Sequence, residues 1–190
     1  MDPVSPLPQI REKLTYSTGC FYELTKWLAV LVIVLTLVHF FIATIFIIEG
    51  ISMEPDFFNG EAIIANRFQY TFGKPEHGDV AMLKFPGDPE HKKYIKRIIG
   101  LPGDTVKIQD GTVTVNNNRL NEPYISIGVQ TEPNMEITLK DDEYFLMGDN
   151  RPNSNDSRVW GVASKRHLIG KAWFVLWPTE DFGKVKVYKY

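Results

Sequence analysis

The sequence predicts a mainly β protein, with an antiparallel, barrel-like sheet behind one N-terminal transmembrane helix. The first observation is an uncharged run of 22 residues, 27–48. As a helix it would cover roughly 33 Å, enough for the ~30 Å hydrocarbon core of a bilayer. The second is a series of short apolar runs separated by turn signals after residue 50, with no long apolar period of 3.6 residues. Many short strands without alternating helices favour an antiparallel sheet over a βαβ fold.

The apolar run 27–48 is interpreted as an uncleaved membrane anchor. A secretory signal has an apolar region of ~7–15 residues that ends in a small-x-small site, whereas this run is longer and ends in bulky residues. Arg11, Lys13 and Lys26 precede the run, and the next basic residue is Arg67. Because positive charges stay inside, residues 1–26 are predicted to be a cytoplasmic arm and residues 49–190 an extracytoplasmic domain. This is the topology of a single-pass protein of the cytoplasmic membrane.

The predicted strands cover residues 61–65, 79–85, 94–99, 105–108, 112–115, 144–147, 171–176 and 184–188. Asp110-Gly111 joins two of them and suits the type I′ turn of a hairpin. The region of about 104–142 is expected to be a small β excursion from the main sheet.

Composition excludes several classes of function. Lys plus Arg number 21 and Asp plus Glu 23, a net charge of −2 that lacks the basic excess of nucleic-acid binders. One cysteine, Cys20, excludes a disulfide framework within the chain. The four histidines show no metal-ligand spacing, so neither metal nor cofactor is expected.

Two residues suggest nucleophilic chemistry. Ser52 lies four residues beyond the predicted span, at the membrane surface. Lys96 lies in an apolar stretch where strand alternation places it on one sheet face with Tyr94 and Ile98. If that face is buried, the pKa of the lysine falls, and a neutral amine accepts a proton from a serine hydroxyl. The sequence supplies these residue types but not the distance between them.

Four ordered segments then resemble the bacterial type I (leader) signal peptidases. They are Ser-Met-Glu-Pro at 52–55, Gly-Asp-Val at 78–80, the run from Tyr-Ile-Lys-Arg to Gly-Leu-Pro-Gly-Asp at 94–104, and Met-Gly-Asp-Asn-Arg with its continuation at 147–158. The resemblance spans about residues 27 to 180. It implies a β catalytic domain behind a membrane anchor.

The resemblance also implies roles for single residues. Ser52 is expected to be the nucleophile and Lys96 the general base, and the Ser52 N–H forms part of the oxyanion hole. Ser154 matches a serine that hydrogen-bonds the lysine amine. Support by hydrogen bonds and ion pairs is expected from Asp149, Arg151, Asp156 and Arg158. The residues expected at the substrate are Gly50, Met53, Phe57, Tyr94 and Ile95.

Three positions depart from the usual family pattern. Asp56 and Phe57 replace the common Thr or Ser followed by Leu, and Phe57 is expected to reshape a substrate pocket. Gly50 carries no hydroxyl for the oxyanion hole, and Pro152 removes an N–H from its loop.

The function expected from the resemblance is a membrane-anchored serine endopeptidase that acts through an acyl-enzyme. It would remove signal peptides from exported preproteins after small-x-small sites such as Ala-x-Ala. Preprotein signal peptides and membrane lipid are the expected partners, and the enzyme is expected to be a monomer. Two alternatives remain open at this point: a self-cleaving Ser-Lys regulator, and a non-catalytic, membrane-tethered β module that binds extended peptides.

Overall fold

The structure, a computed structural model, describes residues 7–38, 42–87 and 92–188. The chain divides into two units, Met1–Phe41 and Ile42–Tyr190. Helix α1 (Leu7–Leu37) lies in the first unit and continues across residue 26, where the arm was predicted to end. Within the described residues, no helix combines the length and the apolar character that crossing a bilayer requires.

Residues 43–47 of the predicted span form a strand, so the predicted helix over 27–48 is wrong there. Strand β1 (Ala43–Ile47) pairs with strand β2 (Ala62–Asn66). Its sequence, Ala-Thr-Ile-Phe-Ile, is rich in β-branched and aromatic residues, which favour a pleated and half-buried strand. Residues 39–41 of the predicted span lie outside the described residues.

The remaining elements of the second unit, in chain order, are α2 (Phe68–Phe72), β3 (Val80–Lys84), β4 (Lys93–Gly100), β5 (Thr105–Gln109), β6 (Thr112–Val115), β7 (Asn118–Arg119), β8 (Met135–Thr138), β9 (Glu143–Met147), α3 (Ser157–Trp160), β10 (Ala163–Ser164), β11 (Leu168–Trp177) and β12 (Gly183–Lys184). Eight of the strands form a main sheet in the order β1-β2-β11-β3-β4-β9-β10, with β12 beside β11. Neighbouring strands are antiparallel and the sheet curls into a half-barrel, so the mainly β prediction is confirmed.

A second sheet has four strands in the order β7-β6-β5-β8 and occupies the region predicted as a β excursion. The predicted hairpin joins β5 to β6. Its turn residues, Asp110 (φ 50°) and Gly111 (φ 77°), both adopt the left-handed conformation that a type I′ turn requires.

Strand β4 is fixed from several sides because it contributes to three buried clusters. Ile95 packs with Met53 and Val80, Ile98 packs with residues of β3 and β9, and Ile99 packs with residues of the second sheet. A strand held in this way is a rigid support for Lys96, which lies between these side chains in the sequence.

Candidate active site

The turn after β1 carries Ser52 and is held from two directions. Gly50, at φ 97°, adopts a conformation that favours glycine, and its N–H donates to the side-chain oxygen of Asn59 at 2.8 Å. The backbone N–H of Asn150 donates to the Ser52 carbonyl at 3.1 Å, and its side-chain Nδ2 donates to the carbonyl of Ile51 at 3.0 Å. These bonds fix the backbone around Ser52 to the loop that follows β9.

Lys96 reaches Ser52 from the middle of β4. Its Nζ donates a hydrogen bond to Ser52 Oγ at 2.6 Å and another to the carbonyl of Ile95 at 2.9 Å. The lysine is only 1 % exposed, as the alternation argument requires. The structure therefore brings together the two residues that the sequence placed 44 positions apart.

The amine of Lys96 titrates far below its ordinary range. Burial disfavours the charged form and lowers its pKa from 10.5 to about 8, while the nearby charges of Asp156 and Asp149 raise the pKa and that of Arg158 lowers it. No carboxylate among the described residues lies within ion-pair distance of Nζ. A substantial fraction of the amine is therefore neutral near pH 8.

Gly148 permits the close approach of the loop after β9 to the nucleophile. A Cβ at this position would lie 2.2 Å from Ser154 Oγ and 2.4 Å from the Ser52 carbonyl oxygen, distances that no side chain tolerates. The Gly148 N–H donates to Asp156 Oδ2 at 3.0 Å. Only glycine fits between the Ser52 backbone and Ser154.

Ser154 does not make the hydrogen bond to Lys96 that the resemblance implies. Its Oγ is buried and has no hydrogen-bond partner among the described residues. It lies near enough to Asp156 to help lower the pKa of that carboxyl, without hydrogen-bonding geometry. The structure thus places Ser154 beside Gly148 and not on the amine.

Asp156 and Arg158 form a buried pair behind this loop. Arg158 Nε and Nη2 donate to the two carboxylate oxygens at 2.8 and 2.7 Å, and Nη2 also donates to the carbonyl of Arg151 at 2.7 Å. Burial alone would raise the pKa of Asp156, but Arg158 and the Gly148 N–H hold this pKa below its ordinary value. Asp156 also accepts from the Arg158 N–H and caps helix α3.

Arg97, to which the sequence analysis gave no role, binds Asp149 on the face of β4 opposite Lys96. Its Nε and Nη2 donate to the Asp149 carboxylate at 2.8 and 2.5 Å, and Nη2 also donates to Asp56 at 3.1 Å. The guanidinium is fully buried and lies 4.1 Å from the ring centroid of Tyr124. Arg97 thereby connects the lysine strand to the Asp149 loop and to the turn that follows Ser52.

Arg151 connects the site to the segment between β7 and β8. Its guanidinium binds the Glu122 carboxylate and the Thr131 hydroxyl, and its Nε donates to the carbonyl of Gly148 at 3.1 Å. No motif or spacing in the sequence indicated Glu122, which binds Arg151, or Tyr124, which contacts Arg97, because both lie in the segment between β7 and β8, far along the chain from their partners.

The residues predicted at the substrate fall into two groups. Met53, Phe57 and Ile95 are core residues, exposed by 1, 3 and 5 % respectively. Gly50 is exposed and Tyr94 is half-buried. Phe57 also lines a cavity of about 150 Å³, together with Lys184 and Val185 near the C-terminus. In the described residues, no group of three or more His, Cys, Asp or Glu side chains is placed to hold a metal ion.

A serine hydroxyl bonded to a buried lysine with a lowered pKa defines a Ser-Lys dyad, a constellation of serine hydrolases. Residues 21–177 match the family described as signal peptidase, peptidase S26. The chain belongs to this family and is a serine peptidase.

Individual relatives are similar over nearly the whole chain. Signal peptidase I of Bacillus licheniformis is 32% identical over 91% of this chain and 97% of its own length. A probable signal peptidase I-2 of Synechocystis sp. is 36% identical over 91% of this chain and 81% of its own length. A crystal structure of a signal peptidase I from Enterococcus faecalis V583 aligns with 52% of this chain and 96% of that chain, at 30% identity and a TM-score of 0.46.

Proposed function

We propose that this peptidase removes signal peptides from exported preproteins, with Ser52 as the nucleophile and Lys96 as the general base. The observation that carries this proposal is the 2.6 Å hydrogen bond between Lys96 Nζ and Ser52 Oγ, made by an amine whose pKa is lowered to about 8. The family match and the relatives named above support the choice of substrate.

In the first half of the reaction, the neutral amine of Lys96 takes the proton of the Ser52 hydroxyl. The Oγ attacks the carbonyl carbon of the scissile bond, and the carbonyl oxygen becomes an oxyanion. The resulting ammonium of Lys96 returns its proton to the leaving amine nitrogen, so that the C–N bond breaks and an ester to Ser52 remains. In the second half, the same amine takes a proton from water, whose oxygen attacks the ester carbonyl; the C–Oγ bond then breaks, the ammonium returns its proton to Ser52 Oγ, and the carboxyl product leaves.

The oxyanion requires a hydrogen-bond donor near Ser52. The Ser52 N–H is suited to this role, since among the described residues no acceptor binds it. Two residues before Ser52, a Cβ built at Gly50 would meet nothing within 4 Å, so the turn is not packed on at that point. The buried ion pairs of Asp149, Asp156 and Arg151 fix the backbone and contact no reacting atom in this scheme.

The core packing next to Ser52 supports the proposed preference for small side chains at the cleavage site. Met53 and Ile95 are almost completely buried, so they present little free surface beside the nucleophile. Within the described residues, β1 pairs on one edge only, with β2. An extended substrate added to the free edge of β1 would approach Ser52 with alternate side chains facing this packed surface. Residues such as Ala fit these subsites.

Attachment to the cytoplasmic membrane is the second part of the proposal. In the first unit, the apolar side chains of α1 from Trp27 onward are exposed; Trp27 itself is 65 % exposed. In the second unit, exposed Ile47 and Trp177 both pair with Ala62, so an apolar row crosses the outer face of the sheet next to Ser52. The basic residues Arg11, Lys13 and Lys26 favour a cytoplasmic N-terminus.

The test is cleavage of a preprotein with an Ala-x-Ala site by the full chain in detergent. We expect turnover by the wild type and none by Ser52→Ala or Lys96→Ala, with both variants folded. Turnover that persists in Ser52→Ala would refute the nucleophile. Binding of the preprotein without turnover by the wild type would favour a peptide-binding module, and cleavage of this chain alone would favour a self-processing enzyme.

The membrane part is tested separately by flotation of the full chain with vesicles of neutral phospholipid. We expect it to float with the vesicles and to stay there after an alkaline carbonate wash, which removes proteins held by charge alone. Recovery of the chain in the aqueous fraction would refute membrane attachment, but it would not bear on the roles proposed for Ser52 and Lys96.

A further inference from the structure

The C-terminal segment of the chain folds back toward the turn that carries Ser52. Strand β12 pairs with β11, and the N–H of Val185 then donates to the carbonyl of Trp173 at 3.1 Å. The Val185 side chain packs against the buried cluster that contains Met53 and Phe57. These contacts fix the path of residues 183–185 and direct the following residues toward the site.

Tyr188 ends this path on the buried side of the nucleophile turn. Its hydroxyl donates to Asp56 Oδ1 at 3.2 Å, across 132 positions of sequence. Its ring centroid lies 5.1 Å from the Arg97 guanidinium and 5.1 Å from the ring centroid of Tyr124. Burial and the carboxylate of Asp56 raise the pKa of the Tyr188 hydroxyl, so it remains a donor at neutral pH.

Asp56 connects this tyrosine to both members of the dyad. It lies four residues after Ser52, in a turn closed by the bond from the Phe57 N–H to the Met53 carbonyl at 3.0 Å. Its Oδ2 accepts from Arg97 Nη2 at 3.1 Å, and Arg97 directly follows Lys96 in β4. The carboxylate of Asp56 is 10 % exposed and is shared between a donor from the C-terminal segment and a donor from the lysine strand.

We propose that Tyr188 is a positioning residue for the Ser52–Lys96 dyad: through Asp56 and Arg97, it fixes the turn that carries the nucleophile against the strand that carries the base. This inference rests on the proposed function of the dyad. The segment lies outside the family match, which ends at residue 177.

The expected consequence is a loss of rate and not of substrate binding. Without the hydroxyl, Asp56 Oδ1 loses its donor, and Arg97 is the one side chain that still binds the Asp56 carboxylate among the described residues. Small displacements of a nucleophile are costly, because the reacting atoms must meet in a narrow range of distance and angle. For Tyr188→Phe we expect kcat to fall about threefold to tenfold with KM unchanged.

The experiment compares full-length variants in detergent on the same preprotein. Tyr188→Phe keeps the ring over Arg97 and removes one oxygen, so its fold is retained. The matched control is Tyr144→Phe, which removes a hydroxyl that forms no hydrogen bond with the described residues and is expected to leave kcat unchanged. Because Tyr188 acts through Asp56, the double variant Asp56→Ala, Tyr188→Phe should be no slower than Asp56→Ala alone.

Each other outcome overturns the proposal. An unchanged kcat in Tyr188→Phe refutes it, as does a lowered melting temperature with the same kcat per folded molecule, which would mean a structural role only. Multiplicative losses in the double variant would mean that Tyr188 does not act through Asp56. Failure of the dyad itself is seen separately, as residual activity of Ser52→Ala beside an active wild type.

Discussion

The rate of cleavage by the Ser52–Lys96 pair should follow the neutral fraction of the lysine amine. With the pKa lowered from 10.5 to about 8, roughly a tenth of the amine is neutral at pH 7. An unperturbed lysine would be neutral to only about 0.03 % at that pH, so burial multiplies the active form by roughly 300. The free-energy equivalent of this shift is about 3 kcal/mol.

The perturbation is pH itself, and the assay is the initial rate of preprotein cleavage between pH 6 and 10. Below pH 8 we expect kcat/KM to rise about tenfold per pH unit, and above pH 8 to approach a plateau. An acid limb with its midpoint near 10, or no dependence on pH between 6 and 9, would refute a desolvated lysine as the base. Unfolding is excluded as the cause of any loss by the circular dichroism of the same samples.

Three further predictions concern single substitutions. Lys96→Met should be inactive yet more stable by about 1 kcal/mol at pH 7, because burying the protonated amine costs about 3 kcal/mol and its two hydrogen bonds return about 2. The pKa of Lys96 is lower in the folded than in the unfolded state, so the wild type regains stability as pH rises from 8 to 10.5. Urea denaturation at pH 7 and 10 should show that the stability advantage of the variant disappears at the higher pH. A variant less stable than the wild type at pH 7 would contradict the argument. Gly148→Ala should reduce kcat by about two orders of magnitude, because its Cβ would lie 2.4 Å from the Ser52 carbonyl oxygen. The control is Gly183→Ala, which should stay active because its Cβ would meet nothing within 4 Å. Equal activities of the two variants would contradict the steric argument. Arg158→Gln should move the acid limb of the rate profile above pH 8, because it removes a positive charge that lowers the pKa of Lys96. Arg119→Gln, at an exposed position, is the control. A shift of the acid limb to lower pH in Arg158→Gln would contradict the argument.

Local signals predicted most of the sheet. Short runs of apolar and β-branched residues between turn dipeptides identified most of the main-sheet strands, and the Asp110-Gly111 pair identified the hairpin with its turn type. Alternation placed Lys96 on one sheet face with Tyr94 and Ile98 but left the burial of that face open; the structure shows that Lys96 is buried. These features depend on a few adjacent residues, which a sequence displays directly.

The run 27–48 shows where the same reasoning fails. Length and lack of charge describe a membrane helix and a helix followed by a half-buried strand equally well. The β-branched composition of residues 43–47 was a signal for the strand, but the partner that decides the matter, β2, lies some 15 residues further along the chain. Strand pairing is a long-range interaction, and a hydropathy pattern does not show which segment a strand will pair with.

The contacts of Arg97 could not be predicted for a related reason. Asp149 lies 52 positions away and Asp56 lies 41 positions away, so no spacing rule connects either to the arginine. The resemblance to a family pointed to Asp149 as a support residue without naming its partner. Asp56 was noted only as a departure from the family pattern, yet in the structure it joins the nucleophile turn to Arg97.

The arginines around Lys96 explain how the pKa of its amine stays low although carboxylates are near. A guanidinium does not lose its proton in proteins, so buried Arg97 requires the negative charge of Asp149 and Asp56. Arg158 engages Asp156 and Arg151 engages Glu122 in the same way. With these acids bound to arginines, none forms an ion pair with Lys96, and desolvation determines the sign of its pKa shift. The arginines therefore contribute to catalysis indirectly, because a free carboxylate beside Lys96 would raise the pKa of its amine and reduce the neutral fraction that acts as the base.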